Sequence, residues 1–180
     1  MALAEVRQIS DTRTPEQNAN AIFWDAAPGT HTPPGYWNQE AASLAAKYRL
    51  TERESAHVFA LTNMVSYDAI AASHEGKYFY WLLRPSMADP LITLSIPLPN
   101  FPSYPSNHAA VSSGIARILA HMFPAETDRL EALAEEAAWS RVLASIHDRF
   151  DGDAGLALGR AVAALALAND VTGHGAFVLR

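Results

Sequence analysis

Apolar residues recur three and four positions apart through most of the chain, which is the spacing of one helix face. Thr14 with Gln17, and Thr51 with Glu54, have the spacing of capping boxes, in which two side chains satisfy free backbone N–H groups at a helix start. The alternation typical of strands is nearly absent; residues 91–96 show it briefly and are interpreted as extended loop. The chain is therefore predicted to be all-α, a helical bundle of about five to six helices.

Prolines divide this pattern into helices and loops. Residues 1–15 are polar and are expected to form an arm, and a helix over residues 52–83 should end at Pro85, since the residue before a proline avoids the α region. Five prolines between residues 86 and 105 exclude a regular helix there, and a loop of this length in a compact domain is usually functional. Further helices are predicted over residues 15–24, 37–48, 106–122, 124–138 and 151–169.

Composition narrows the class of protein. With 180 residues, 49% hydrophobic and 18% charged, the chain is expected to form one domain over residues 1–180 with a real core. No apolar run of 18 residues and no signal peptide are visible, so no membrane insertion and a soluble, cytoplasmic protein are expected. The net charge of −6 disfavours nucleic acid as a partner, and the absence of cysteine removes thiolate chemistry.

The first group of candidate functional residues surrounds an aromatic segment. Lys77 and Arg84 are seven positions apart, so both cations would lie on one face of a continuous helix. Four of the six residues between them are aromatic, which suits a partly buried site. Two cations that extend from an amphipathic helix towards solvent would produce the same pattern.

The second group lies at the start of a predicted helix. Ser106 is placed as its N-cap and His108 lies in its first turn. Free backbone N–H groups at such an end attract anions. An ordinary capped helix with a surface histidine is the alternative.

The third group contains Ser140, Arg141, His147 and Asp151. Ser140, His147 and Asp151 would share one helix face if residues 140–151 formed a continuous helix. Asp151 could then orient the imidazole of His147, as a histidine nucleophile or oxoanion ligand requires. A surface ion pair is one alternative. Ligation of a divalent ion in a helix bundle is another, although no second Glu-x-x-His unit is present.

Together, the three groups suggest a single anion site. Buried unit charges of like sign repel by about 4 kcal/mol at ~4 Å and an effective dielectric constant of ~20. A phosphate-like anion would reverse the sign of that interaction.

The order and internal spacing of these motifs resemble a known superfamily. Lys-x6-Arg-Pro from Lys77, Pro-Ser-x-His from Pro105 and Ser-Arg-x5-His-x3-Asp from Ser140 are similar to the phosphatidic acid phosphatase type 2 (PAP2) and vanadium-dependent haloperoxidase superfamily. The resemblance covers about residues 68–167. The segment before Ser106, Phe-Pro-x-Tyr-Pro, looks closer to the soluble haloperoxidase branch.

This resemblance implies a role for each motif residue. The groups that would hold the oxygens of vanadate or phosphate, or of a substituting sulfate, are Lys77, Arg84, the Ser106 hydroxyl, the Asn107 backbone N–H and Arg141. His147 would bond vanadium or attack phosphorus, Asp151 would orient it, and His108 would be the acid–base group.

Two further positions follow from the resemblance, and two depart from its pattern. Asp68 would pair with an arginine, and Phe101 lies where the family shapes its halide pocket. His74 stands where the soluble branch commonly has an aromatic residue. Asn107 replaces the usual glycine, so a side chain would crowd the oxoanion, and any positive φ there would be strained.

The resemblance implies a haloperoxidase-like enzyme that uses vanadate to oxidise halide with hydrogen peroxide. One alternative is an acid phosphatase that hydrolyses phosphate monoesters through a phosphohistidine at His147. Another is a non-catalytic relative that binds an anion or a partner. Soluble haloperoxidases generally carry further N-terminal helices, so the chain is expected to be a minimal or truncated relative, with a homodimer as one way to cover an open bundle.

Overall fold

The computed structural model describes residues 2–27 and 29–170, and its regular elements are helices. In chain order they are α1 (Ala2–Thr12), α2 (Pro15–Asp25), α3 (Thr32–Lys47), α4 (Glu52–Tyr80), α5 (Pro85–Ala88), α6 (Asn107–Met122), a 3-10 turn (Pro124–Glu126), α7 (Thr127–Leu143) and α8 (Arg149–Ala168). The all-α prediction is confirmed. Both capping boxes are present, with the side-chain hydroxyls of Thr14 and Thr51 accepting the predicted N–H groups.

The polar arm predicted for residues 1–15 is wrong, because most of it is the helix α1. Leu3, Val6 and Ile9 are spaced three apart and form an apolar stripe in a mostly polar segment. Val6 is buried in a small cluster with Ile92 and Val142, which anchors α1 to the rest of the bundle. The proline-rich loop predicted over residues 86–105 begins with the single helical turn α5 and is otherwise irregular.

The centre of the bundle is α6, which packs against α4, α7 and α8 and has most of its residues buried. Two glycines of α8 allow α6 and α8 to pack closely together. A Cβ atom at Gly155 would lie 2.5 Å from the carbonyl oxygen of Ser106, and one at Gly159 would overlap the carbonyl oxygen of Ala110. The resulting approach lets the backbone N–H of Ser106 donate to the backbone oxygen of Asp151 at 2.9 Å, which joins two of the candidate motifs.

Among the described residues, every helix is either too short or too polar to cross a membrane.

Candidate active site

Lys77 and Arg84 do come together, although not on one helix face as predicted. Helix α4 ends at Tyr80, and Trp81 takes a left-handed conformation with φ of 51°. Arg84 is extended and caps α5, because Pro85 follows it. The chain therefore turns back, so that Lys77 Nζ and the Arg84 guanidinium lie 5.1 and 5.2 Å from the centre of the Phe101 ring.

Backbone carbonyls hold both cations in place. Lys77 Nζ donates to the oxygens of Pro102 at 2.9 Å and Ser103 at 2.6 Å. Arg84 donates from Nε to the oxygen of Phe101 at 3.1 Å and from Nη1 to the oxygen of Ile146 at 2.9 Å. Its Nη2 is buried and has no hydrogen-bond partner.

The structure brings His147 against Arg84 and Asp151. The shared helix face considered for Ser140, His147 and Asp151 required a continuous helix, and that condition is not met: α7 ends at Leu143, residues 144–148 form a turn, and α8 starts at Arg149. The turn places His147 Nδ1 2.8 Å from the Oδ2 atom of Asp151. Because a carboxylate only accepts, Nδ1 carries the proton, and Nε2 has a lone pair that accepts from Arg84 Nη1 at 3.1 Å.

Ser103 is a member of this cluster that the sequence analysis missed. Its hydroxyl donates to Asp151 Oδ2 and lies 3.3 Å from His147 Nδ1. The backbone N–H of Asp148 donates to the same carboxylate oxygen at 3.3 Å. No spacing rule identifies Ser103; its place in the predicted functional loop, three residues before Ser106, was the available signal.

Arg141 is buried beside the C-terminal part of α2 and lines the same cavity as His147. It donates from Nη2 to the backbone oxygen of Ala21 at 2.6 Å and from Nε to the Ser140 hydroxyl at 2.9 Å. Its Nη1 lies 3.7 Å from an Asp25 carboxylate oxygen without forming a hydrogen bond. Like Arg84, Arg141 therefore keeps one buried nitrogen unused.

The start of α6 supplies three predicted residues. Ser106 is the buried N-cap, and its hydroxyl accepts from the backbone of Ala109 at 3.4 Å. His108 Nε2 lies 2.9 Å from the backbone oxygen of Trp24, to which it donates. Asn107 is the first helical residue, and its φ is not positive, so the strain considered for this position is absent.

The two residues that depart from the family pattern, Asn107 and His74, lie against each other. Asn107 Oδ1 accepts from the Ser73 hydroxyl at 2.8 Å, and its Nδ2 lies 3.4 Å from His74 Nε2. The His74 ring also meets the Phe101 ring edge to face, with 5.3 Å between their centres.

Asp68 is not brought to this cluster and pairs with no arginine in the described residues. Asp68 lies nine positions before Lys77 in α4. Nine steps of about 100° place the two side chains on opposite faces of this helix. Asp68 is exposed and lines a different groove, with Met64 and Leu165.

Burial dominates the electrostatics of the three cations, and the carboxylates of Asp25 and Asp151 offset it only in part. Burial, and secondarily the charge of Arg84, lower the pKa of Lys77 to about 7. Burial lowers the pKa of Arg84 to about 10 and that of Arg141 to about 10. Burial and nearby cations hold the pKa of His147 well below its usual value, so this imidazole is neutral.

The pKa values of His108 and Asp151 also shift because of burial. Loss of solvent, followed by the charge of Arg141, holds the pKa of His108 well below its usual value. Burial raises the pKa of Asp151, and the hydrogen bond from Ser103 opposes that change.

A cavity of about 250 Å³ opens on this cluster. Its polar lining comes from His74, Asn107, His108, Arg141 and His147, together with Asp25. The rest is apolar and consists of Pro33, Pro34, Ile70, Pro99, Phe101, Val111 and Ile146.

The residues fit a tetrahedral oxoanion such as vanadate or phosphate. Arg84 Nη2 and Arg141 Nη1 are buried donors that form no hydrogen bond, and such groups are costly unless a ligand satisfies them. Arg84 contacts an imidazole whose proton is fixed on the nitrogen that faces Asp151, and Arg141 lines the same cavity as that imidazole. An anion among these groups would offset the burial and the repulsion from Arg84 that together lower the pKa of Lys77.

In a comparison with known proteins, residues 56–172 match the PAP2 superfamily. The chain belongs to that superfamily. Its fold is similar to the crystal structure of a bacterial vanadium-dependent iodoperoxidase, with a TM-score of 0.81 and 23% identity over 93% of this chain and 48% of that one. It is also similar to a transmembrane PAP2-type phosphatidylglycerolphosphate phosphatase from Bacillus subtilis, with a TM-score of 0.66 and 18% identity over 95% of this chain and 85% of that one. The PAP2 chain thus spans about half the length of the iodoperoxidase.

Proposed function

We propose that this PAP2 protein is a vanadium-dependent haloperoxidase, which oxidises a halide with hydrogen peroxide. The observation that carries the proposal is the neutral imidazole of His147. Asp151 fixes its proton on Nδ1, so Nε2 carries the lone pair. This lone pair accepts from Arg84 Nη1 in the structure, and it would turn to the central atom of an oxoanion when the guanidinium of Arg84 binds the oxygens of that anion. That is the arrangement required to bond the central atom of an oxoanion while its oxygens bind cations.

The residues that would hold the oxygens of vanadate are Lys77, Arg84, the Ser106 hydroxyl, the Asn107 backbone N–H and Arg141. Bound vanadate would act as a Lewis acid that activates peroxide for two-electron oxidation of halide. The low pKa of His108 keeps its imidazole neutral, and its Nε2 donates to Trp24, so Nδ1 is the nitrogen left to accept a proton from entering peroxide.

The shape of the cavity favours small reactants. About 250 Å³ accommodates peroxide and halide beside the oxoanion, and the apolar side chains of residues such as Ile70, Phe101 and Val111 exclude bulk water. A dry wall also suits a large, weakly hydrated halide. The iodoperoxidase is the fold neighbour with the higher TM-score, which supports the same proposal.

Phosphatase activity is the second candidate, and one observation favours it. The chain spans 85% of the phosphatase but 48% of the iodoperoxidase. In this reaction His147 Nε2 would attack phosphorus and the ester P–O bond would break. His108, after taking up a proton from solvent on Nδ1, would pass that proton to the leaving alkoxide. Water would then cleave the P–N bond and release phosphate.

Two assays test the proposal on the purified protein, with and without orthovanadate. We expect vanadate-dependent oxidation of bromide or iodide by peroxide, and loss of that activity in His147→Ala. His121→Ala, an exposed histidine at the end of α6, is the matched control and should retain activity.

Release of p-nitrophenol from its phosphate ester without vanadate, abolished in His147→Ala, would favour the phosphatase instead. If the parent protein catalyses neither reaction, the non-catalytic alternative stands. If turnover survives in His147→Ala, the assignment of His147 is wrong.

A further inference from the structure

A second cavity lies on the outside of the candidate active site. It is a groove of about 610 Å³ between the end of α4 and the proline-rich loop. Its outer walls are the side chains of Tyr78, Trp81, Leu82, Leu83 and Met87, and its inner end is formed by Arg84 and Phe101.

The outer walls of this groove are unusually exposed. Trp81 is 67% and Leu83 is 61% exposed, and Met87, Tyr78 and Leu82 are also largely open to solvent. Contiguous apolar surface of this kind is rare on soluble proteins unless it binds something. The single charged side chain among the lining residues is Arg84, which is buried.

The groove is continuous with the candidate active site. Arg84 lines the groove and also contacts His147 Nε2 at 3.1 Å. Phe101 and Pro99 line both the groove and the smaller cavity that contains His147. A molecule in the groove would therefore lie one side chain away from the oxoanion site.

We propose that this groove binds an apolar aromatic molecule that accepts the halogen, and this rests on the proposed haloperoxidase function. Its volume falls in the range of small-molecule sites, and its lining is aromatic and aliphatic with a polar group at one end, as in such sites. Trp81 and Tyr78, whose ring centres are 5.5 Å apart, supply surfaces on which a ring can stack.

The reaction balances with the reagents already named. Hydrogen peroxide oxidises halide by two electrons and, with one proton taken up from solvent, gives hypohalous acid and water. The hypohalous acid then forms a carbon–halogen bond at a ring carbon, the C–H bond of that carbon breaks, and the proton leaves with the hydroxide as a second water. The groove would hold the ring where this transfer happens before the hypohalous acid escapes.

Binding of 2-naphthol to the protein without vanadate tests the groove independently of turnover. Isothermal titration should detect binding by the parent protein, weakened by roughly tenfold in Trp81→Ala, which removes one stacking ring and its contact area. Phe79→Ala is the matched control: Phe79 is 77% exposed two residues away, is not a lining residue, and its loss should leave binding unchanged.

Failure of this proposal and failure of the proposed function give different results. If the parent protein does not oxidise halide but binds naphthol in a way that depends on Trp81, the proposed function is refuted and the groove is still supported. No binding, or equal binding by the parent and Trp81→Ala, would overturn the groove. Self-association that both Phe79→Ala and Trp81→Ala abolish, without naphthol binding, would overturn it in favour of an interface between two copies.

Discussion

The low pKa of Lys77 predicts that anion affinity depends on pH. The amine is fully buried, and burial together with Arg84 lowers its pKa to about 7 when no anion is bound. An anion binds the protonated amine, so above this pKa each binding event must also take up a proton. Affinity should therefore be high below about pH 7 and fall as the pH rises through it.

The size of the effect follows from the charged fraction of Lys77. With a pKa of about 7, roughly ten-elevenths of the amines are charged at about pH 6 and roughly one-eleventh at about pH 8. Anion affinity should fall by about tenfold over that interval, or ~1.4 kcal/mol, provided the bound anion keeps the amine protonated throughout.

Isothermal titration with sulfate at constant ionic strength measures this dependence, because sulfate does not itself titrate in that interval. Lys77→Met keeps the aliphatic length, removes the charge and should flatten the profile. Lys47→Met removes a surface lysine that pairs with Glu126 and should leave the profile unchanged. Asp148, whose pKa is raised by burial to about 6, is the other group expected to contribute, and its slope would persist in Lys77→Met.

Either of two results would refute this reasoning. One is a sulfate affinity that stays constant between about pH 6 and about pH 8 in the parent protein. The other is an unchanged slope in a folded Lys77→Met variant, which would assign the proton uptake to another group.

Two further predictions concern positioning and packing. Ser103→Ala removes the hydroxyl bound to Asp151, so the unfolding free energy should fall by about 1–3 kcal/mol in thermal denaturation. The acid limb of the activity profile should move to higher pH, since that bond lowers the pKa of Asp151, and Ser103→Thr should restore both. Gly159→Ala should lower the unfolding free energy by roughly 3 kcal/mol, because its Cβ would overlap α6. Gly152→Ala, with its nearest neighbours at 3.9 Å, should be tolerated, and equal melting temperatures for the two variants would contradict the packing argument.

The parts of the fold that could be predicted from sequence are those set by local chemistry. The capping residues Thr14, Thr51 and Ser106 each mark a helix start in the structure. Helix α1 was missed because its apolar stripe contains few residues and acquires meaning only when residues 92 and 142 cover Val6.

The candidate site could be predicted in its members more than in its geometry. Motif spacing identified Lys77, Arg84, His147 and Asp151, but both supposed helix faces are interrupted: α4 ends at Tyr80 and α7 ends at Leu143. Two turns bring the side chains together instead. Such turns depend on contacts between residues that are distant in sequence. The two cations are held by backbone oxygens, which every residue type has, so no sequence motif could reveal them.

The two departures from the family pattern bear on whether an oxoanion still fits. A side chain at Asn107 would crowd the anion if it projected freely from the first turn of α6. Instead, its amide is held between Ser73 and His74, both on α4. The His74 ring contacts that amide on one side and meets the Phe101 ring edge to face. Since these contacts hold the Asn107 side chain towards α4, the first turn of α6 retains helix-start N–H groups of the kind that attract anions.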